Sequence, residues 1–141
     1  MALTDVTINY WAVLVGAIIY MAVGFLWYSK VLFGKIWMDL MGFTERQMQE
    51  AKEKGMGKTM ALAFLSALVV SFVLAHFVDY TNSTTFFEGM STGFLIWIGF
   101  AVPLTLSSVL WEGKSWKLFF ISIANLLVSL ALMAGVLAVW T

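Results

Sequence analysis

Four long stretches of the sequence contain no Lys, Arg, Asp or Glu: residues 6–29, 59–78, 89–111 and 118–141. Each has the roughly 20 residues that an α-helix needs to cross the hydrocarbon core of a bilayer. No water is available there, so the backbone must bond internally, as it does in a helix. The pattern predicts an all-α integral membrane protein, a single domain over residues 1–141 with transmembrane helices at about 7–29, 58–79, 88–111 and 117–140.

The connection between the first and second spans has helical signals of its own. Thr44 and Gln47 have the spacing of a capping box, in which each side chain bonds the backbone N–H of the other residue. A polar helix is therefore predicted over residues 45–54. Residues 31–40 before it are mostly apolar and aromatic, which favours an interfacial helix along the cytoplasmic leaflet.

Two residues of the third span are unusual for a membrane helix. Pro103 lacks a backbone N–H and is expected to kink the helix, a defect that the hydroxyls of Thr105 or Ser107 are placed to relieve. Trp97 lies near the middle of the span, where its indole N–H needs a partner. We therefore expect Trp97 to face another helix or a cavity rather than lipid.

The charges are strongly segregated along the chain. All eight basic residues lie in or beside the first and third connections: Lys30, Lys35, Arg46, Lys52, Lys54, Lys58, Lys114 and Lys117. With four spans these connections share one side of the membrane, and the positive-inside rule makes that side cytoplasmic. We expect a multi-pass protein of the cell (inner) membrane with both termini external. Lys30, Lys35, Lys114 and Lys117 are predicted to contact anionic lipid headgroups.

Composition excludes several kinds of chemistry. The chain is 62% hydrophobic and 11% charged, has a formal net charge of zero and contains no cysteine. Disulfides, thiolate nucleophiles and cysteine-based metal sites are therefore excluded. We recognise no cofactor fingerprint or catalytic constellation, and we predict no cofactor, no metal and no nucleic-acid partner.

Small polar side chains form a stripe in the last two spans. Ser122, Asn125 and Ser129 follow helical spacing in the fourth span, and Thr105 and Ser108 lie in the third. Polar groups in hydrocarbon need partners, so the first interpretation is hydrogen bonding between helices. The alternative is that these five side chains line a path for a small solute.

His76 and Asp79 lie three residues apart near the external end of the second span. This spacing is compatible with a proton relay or half of a metal site. A structural or interfacial contact is the simpler interpretation, because a lone histidine at a headgroup boundary is readily solvated.

Every span also has a face of small residues, exemplified by Gly16, Gly89, Gly93 and Gly135. Such faces allow helix backbones to approach closely. Four helices with so many small faces favour self-association or membership of a larger membrane complex.

The sequence resembles an uncharacterised bacterial membrane family catalogued as domain of unknown function 1761. The resemblance covers nearly the whole chain and is carried by four segments, at residues 24–29, 33–37, 93–100 and 112–119. It implies the same membrane fold, and it assigns no activity.

Three functions compete. The first is a non-enzymatic oligomeric or accessory membrane subunit acting through helix packing, which is favoured because no carboxylate or amine lies at the centre of a span. The second is a homo-oligomeric channel or facilitator lined by the polar stripe. The third is a membrane enzyme using Glu112, Lys114 and Lys117 at the inner surface, although anionic headgroups explain those lysines without catalysis.

Overall fold

The computed structural model describes residues 6–140 of the chain. Its elements are α1 (Tyr10–Trp27), α2 (Gly34–Met41), α3 (Glu45–Glu53), α4 (Gly57–Tyr80), α5 (Phe86–Ile96), a π-helical turn (Trp97–Ala101), α6 (Val102–Glu112) and α7 (Trp116–Val139). Four helices are long and apolar enough to cross a membrane: α1, α4, the continuous segment Phe86–Glu112, and α7. The predicted all-α fold with four spans is confirmed.

Both short helices of the first connection are present: α3 matches the predicted 45–54 to within one residue, and α2 begins at Gly34, three residues after the predicted start. Thr44 Oγ1 accepts the Gln47 N–H at 3.1 Å, and Gln47 Oε1 accepts the Thr44 N–H at 2.9 Å, which completes the capping box and begins α3. Gly42 ends α2 in the left-handed conformation, with φ of +76°, which favours glycine. The position of α2 along the cytoplasmic leaflet stays a prediction.

Helix α7 is the centre of the bundle and packs against α1, α4 and α5. The two described ends of the chain meet, because the side-chain amide of Asn9 donates to the carbonyl of Trp140 at 3.2 Å. We call this the terminal end of the bundle. The opposite end, which carries α2, α3 and the loop between α6 and α7, is the connection end.

The main core lies entirely in the terminal half of the bundle. It consists of Ala12, Val13, Leu74, Val78, Leu130, Met133, Ala134, Leu137 and Ala138. A smaller cluster of Val109, Phe119 and Ile123 joins α6 to α7 at the connection end. None of the first ten residues of α4 is buried. The bundle is therefore closely packed at the terminal end and more open at the connection end.

Glycines allow α5 to approach α7 closely. A Cβ atom added at Gly93 would lie 2.6 Å from the carbonyl oxygen of Leu130, and one at Gly89 would meet the backbone of Ala134. Alanine or any larger residue at either position would push the helices apart. These two glycine faces, which predicted close helix packing, are therefore used within the chain.

The third span contains a π-helical turn rather than a simple proline kink. The turn covers Trp97–Ala101, directly before Pro103, which stands at the start of α6. A π-turn bonds residues five apart and so changes the backbone register where proline cannot donate. The Ser107 hydroxyl bonds the carbonyl of Leu104, within its own turn. The prediction that the Ser107 hydroxyl relieves the backbone defect at Pro103 is therefore wrong.

Candidate functional site

Two tryptophans from different helices donate to backbone carbonyls of α7. The indole Nε1–H of Trp27, at the end of α1, donates to Ile121 O at 3.0 Å. That of Trp97, in the π-turn, donates to Ile123 O at 2.7 Å. Both indoles therefore hold their helices against the connection half of α7, to which the main core does not extend.

A buried serine joins α1 to α4 in the same way. The Ser71 hydroxyl is fully buried and donates to the carbonyl of Val13 at 2.8 Å. A Cβ at Gly16 would collide with this hydroxyl, so the glycine makes room for the bond. The polar group is paired between helices, as hydrocarbon surroundings require.

The predicted polar stripe of α7 divides into two environments. Ser129 is fully buried, and its hydroxyl donates to Asn125 Oδ1 at 3.5 Å, a long bond within the same helix. Ser122 lies one turn from Asn125 toward the connection end, and it lines a pocket there. The structure therefore does not place all three residues around one cavity.

The connection-end pocket lies between α2, α6 and α7 and has a volume of about 340 Å³. Its lining consists of Trp37, Met41, Thr105, Ser108, Lys114, Leu118, Phe119 and Ser122. Three of the five residues that sequence analysis considered as a path lining thus share this pocket, whereas Asn125 and Ser129 are not part of its wall. Trp37 and Met41 come from α2, so the short connection helix closes one side.

His76 and Asp79 have different neighbours. His76 Nδ1 lies 2.9 Å from the Phe72 carbonyl, and its ring packs between Phe72 and Tyr80, with centroid separations of 4.7 and 6.3 Å. Asp79 instead lines a small cleft at the terminal end, beside Asn9. Among the described residues, no hydrogen bond or ion pair joins the two side chains.

Three hydroxyls at the terminal end form a closed triangle that was not predicted from the sequence. The hydroxyl oxygens of Thr81, Ser83 and Thr92 lie 2.7–2.9 Å from one another, and Ser83 and Thr92 are buried. Thr81 also bonds the carbonyl of Phe77 at the end of α4. The triangle ties the turn after α4 to α5. The run of Thr, Asn and Ser at residues 81–85 is the sequence signal that could have indicated this cluster.

The four lysines assigned to lipid contact are all exposed. Lys30 borders an open basic pocket of about 640 Å³ that also includes Arg46 and Lys52 of α3, and Lys35 borders an adjoining pocket of about 340 Å³. Lys114 lies 3.5 Å from Glu112 in an exposed ion pair. Lys117 stands in the first turn of α7.

Comparison with known proteins bears on the family alone. No group of three or more His, Asp or Glu side chains within residues 6–140 is arranged to hold a metal ion. No curated protein and no solved structure matches the chain. A family model described as "Protein of unknown function (DUF1761)" matches residues 11–138, from the first turn of α1 to the last turn of α7. With nearly the whole four-span bundle matched, the chain belongs to the DUF1761 family.

Proposed function

We propose that the protein is a non-enzymatic subunit of a bacterial inner membrane, which acts through helix packing as an oligomer or accessory component. In this proposal the termini are external and the connection end is cytoplasmic. The eight basic residues at or beside the connection end support that orientation, because Lys and Arg are retained on the cytoplasmic side.

The observation that carries the proposal is the unpartnered connection half of α4. Leu62 and Leu65 are each 56% exposed, and Ser66 is exposed beside them. The Ser66 hydroxyl makes no hydrogen bond with another described residue. A serine hydroxyl in a membrane helix bonds either a carbonyl of its own preceding turn or a group on a second helix, and a bond of the second kind contributes about 0.6 kcal/mol on average. A second helix with a hydroxyl at the same depth would supply such a partner.

A second copy of the chain supplies such a helix. In a two-fold symmetric pair, residue Ser66 of each copy lies at the same membrane depth, so the two hydroxyls can bond one another. Leu62 and Val69 flank Ser66 at the spacing of one helix face, and both are exposed. The faces of Gly16 and Gly93 are occupied inside the bundle, so we assign self-association to α4 instead.

Single-cysteine cross-linking tests this assignment directly, since the natural chain has no cysteine. In native membranes, Ser66→Cys should form a disulfide-linked dimer on oxidation. Leu104→Cys is the matched control, because Leu104 is 71% exposed on α6 and lies away from the proposed contact. Absence of the dimer with Ser66→Cys, or equal dimer yields from both variants, would contradict the proposed interface.

A homo-oligomeric channel or facilitator is the second candidate. The shared pocket of Thr105, Ser108 and Ser122 favours it, since uncoupled solute passage needs a polar lining. Solute flux through proteoliposomes that contain the purified protein tests this alternative. A flux equal to that of empty liposomes would count against a channel.

A further inference from the structure

The connection-end pocket has the layout of a specific lipid site. We propose that it binds the phosphate and ester region of one anionic phospholipid from the adjacent leaflet. The inference is independent of self-association through α4, because the pocket is built from α2, α6 and α7 of a single chain.

The polar groups of the pocket follow the order of groups in a phospholipid. Lys114 lies at the mouth, in the loop between α6 and α7. At 1.5 Å of rise per residue, Ser108 lies about 6 Å below the end of α6, and Thr105 about 10 Å below it. Ser122 lies about 9 Å below the start of α7 by the same measure. The Lys114 ammonium is thus placed to meet the lipid phosphate, and the deeper hydroxyls are placed to meet the ester carbonyls below it.

The donors in this pocket are free to bond a ligand. Neither the Thr105 nor the Ser122 hydroxyl bonds another described residue, and the same holds for the indole N–H of Trp37. Ser108 differs, since its hydroxyl donates to the carbonyl of Thr105 at 2.8 Å. Trp27 and Trp97 both use their indole N–H to bind α7, whereas the indole of Trp37 faces the pocket lining. Ester carbonyls are acceptors and would satisfy these donors.

The charge of the pocket favours an anion. Lys114 is its one charged residue, and the lining contains no carboxylate. Glu112 lies 3.5 Å from the ammonium, but the two side chains are 62% and 51% exposed, so water weakens their attraction. The ammonium therefore remains available to a phosphate. Leu118 and Phe119 lie nearer the start of α7 than Ser122 does, and they form an apolar wall at the level of the glycerol, between the ammonium and the deeper hydroxyls.

Native mass spectrometry of lipid-depleted protein in mild detergent tests the proposal. Titration with phosphatidylglycerol should give one tightly retained lipid per chain, and phosphatidylcholine with the same acyl chains should bind more weakly. Lys114→Gln should weaken phosphatidylglycerol binding about five-fold, the factor that corresponds to about 1 kcal/mol per basic residue at a lipid surface. Lys58→Gln, the matched control at the start of α4 and outside the pocket, should leave the retained lipid unchanged.

Thr105→Val keeps the side-chain shape and removes one donor, so it should also weaken retention while circular dichroism remains that of the natural protein. If Lys114→Gln fails to fold, lipid retention by Thr105→Val tests the site in its place. Equal binding of the two lipids would overturn the anionic assignment. Equal weakening by Lys114→Gln and Lys58→Gln would show general surface attraction and overturn the pocket itself. Retention unaffected by Thr105→Val would remove the ester contact from the proposal.

Discussion

Replacement of Gly93 by alanine perturbs the contact between α5 and α7 with the smallest possible side chain. The new Cβ atom would lie 2.6 Å from the Leu130 carbonyl oxygen, about 0.8 Å closer than the 3.4 Å at which ordinary contact begins. The next atoms, Leu130 C and Ala131 Cα, lie at 3.0 and 3.2 Å and also belong to the backbone. No side chain can rotate away, so the helices themselves must separate.

The expected cost follows from two opposing effects. Overpacking of a closely packed interior costs about 1–3 kcal/mol. Alanine has a higher helix propensity than glycine by about 1 kcal/mol, which offsets part of this cost. We therefore expect Gly93→Ala to lower the free energy of unfolding by up to about 2 kcal/mol relative to the natural protein.

Gly24→Ala is the matched control, because a Cβ at Gly24 meets no atom within 4 Å. It carries the propensity gain without the overpacking, so the two variants should differ by about 1–3 kcal/mol. The measurement is equilibrium unfolding in mixed micelles by titration with sodium dodecyl sulfate, followed by tryptophan fluorescence. If Gly93→Ala is as stable as Gly24→Ala, the close approach of α5 to α7 is refuted.

Three further substitutions test separate features. Thr44→Ala should weaken the start of α3 by about 1 kcal/mol, and unchanged hydrogen exchange in Glu45–Glu53 would contradict the capping role. Trp97→Phe removes the indole donor to Ile123 and should lower the free energy of unfolding by about 0.6–1.7 kcal/mol in the same titration; no loss would mean that the bond contributes nothing. Asn125→Leu should reduce stability slightly and leave proteoliposome solute flux unchanged. If the natural protein conducts solute and Asn125→Leu abolishes that flux without changing the oligomeric mass, the packing interpretation is refuted.

Local signals in the sequence predicted the local structure well. The four spans follow from charge-free length, because hydrocarbon allows few alternatives to a helix. The capping box of Thr44 and Gln47 forms as predicted, since both its bonds depend on residues three apart. Pro103 marked the defect in the third span but not its form, because a kink and a π-turn both accommodate a missing N–H.

Contacts between distant residues could not be predicted in the same way. The position of Trp97 in mid-span indicated a need for a partner, yet the carbonyl of Ile123 carries no sequence signal as an acceptor. The connection-end pocket depends on α2 lying against the α6 and α7 pair, which brings Trp37 near Ser122. Helix arrangement sets these pairings, and hydropathy along the chain does not encode it.

The mass of the intact complex tests the central claim most directly, since the proposed function is association within the membrane. Native mass spectrometry of the protein extracted from its own membrane in mild detergent separates protein stoichiometry from bound lipid. We expect a multiple of the 15.7 kDa chain, reduced to the single chain by a bulky Ser66→Trp substitution in α4. A natural protein that runs as one chain with lipid alone, across detergents that preserve its fold, would contradict the account.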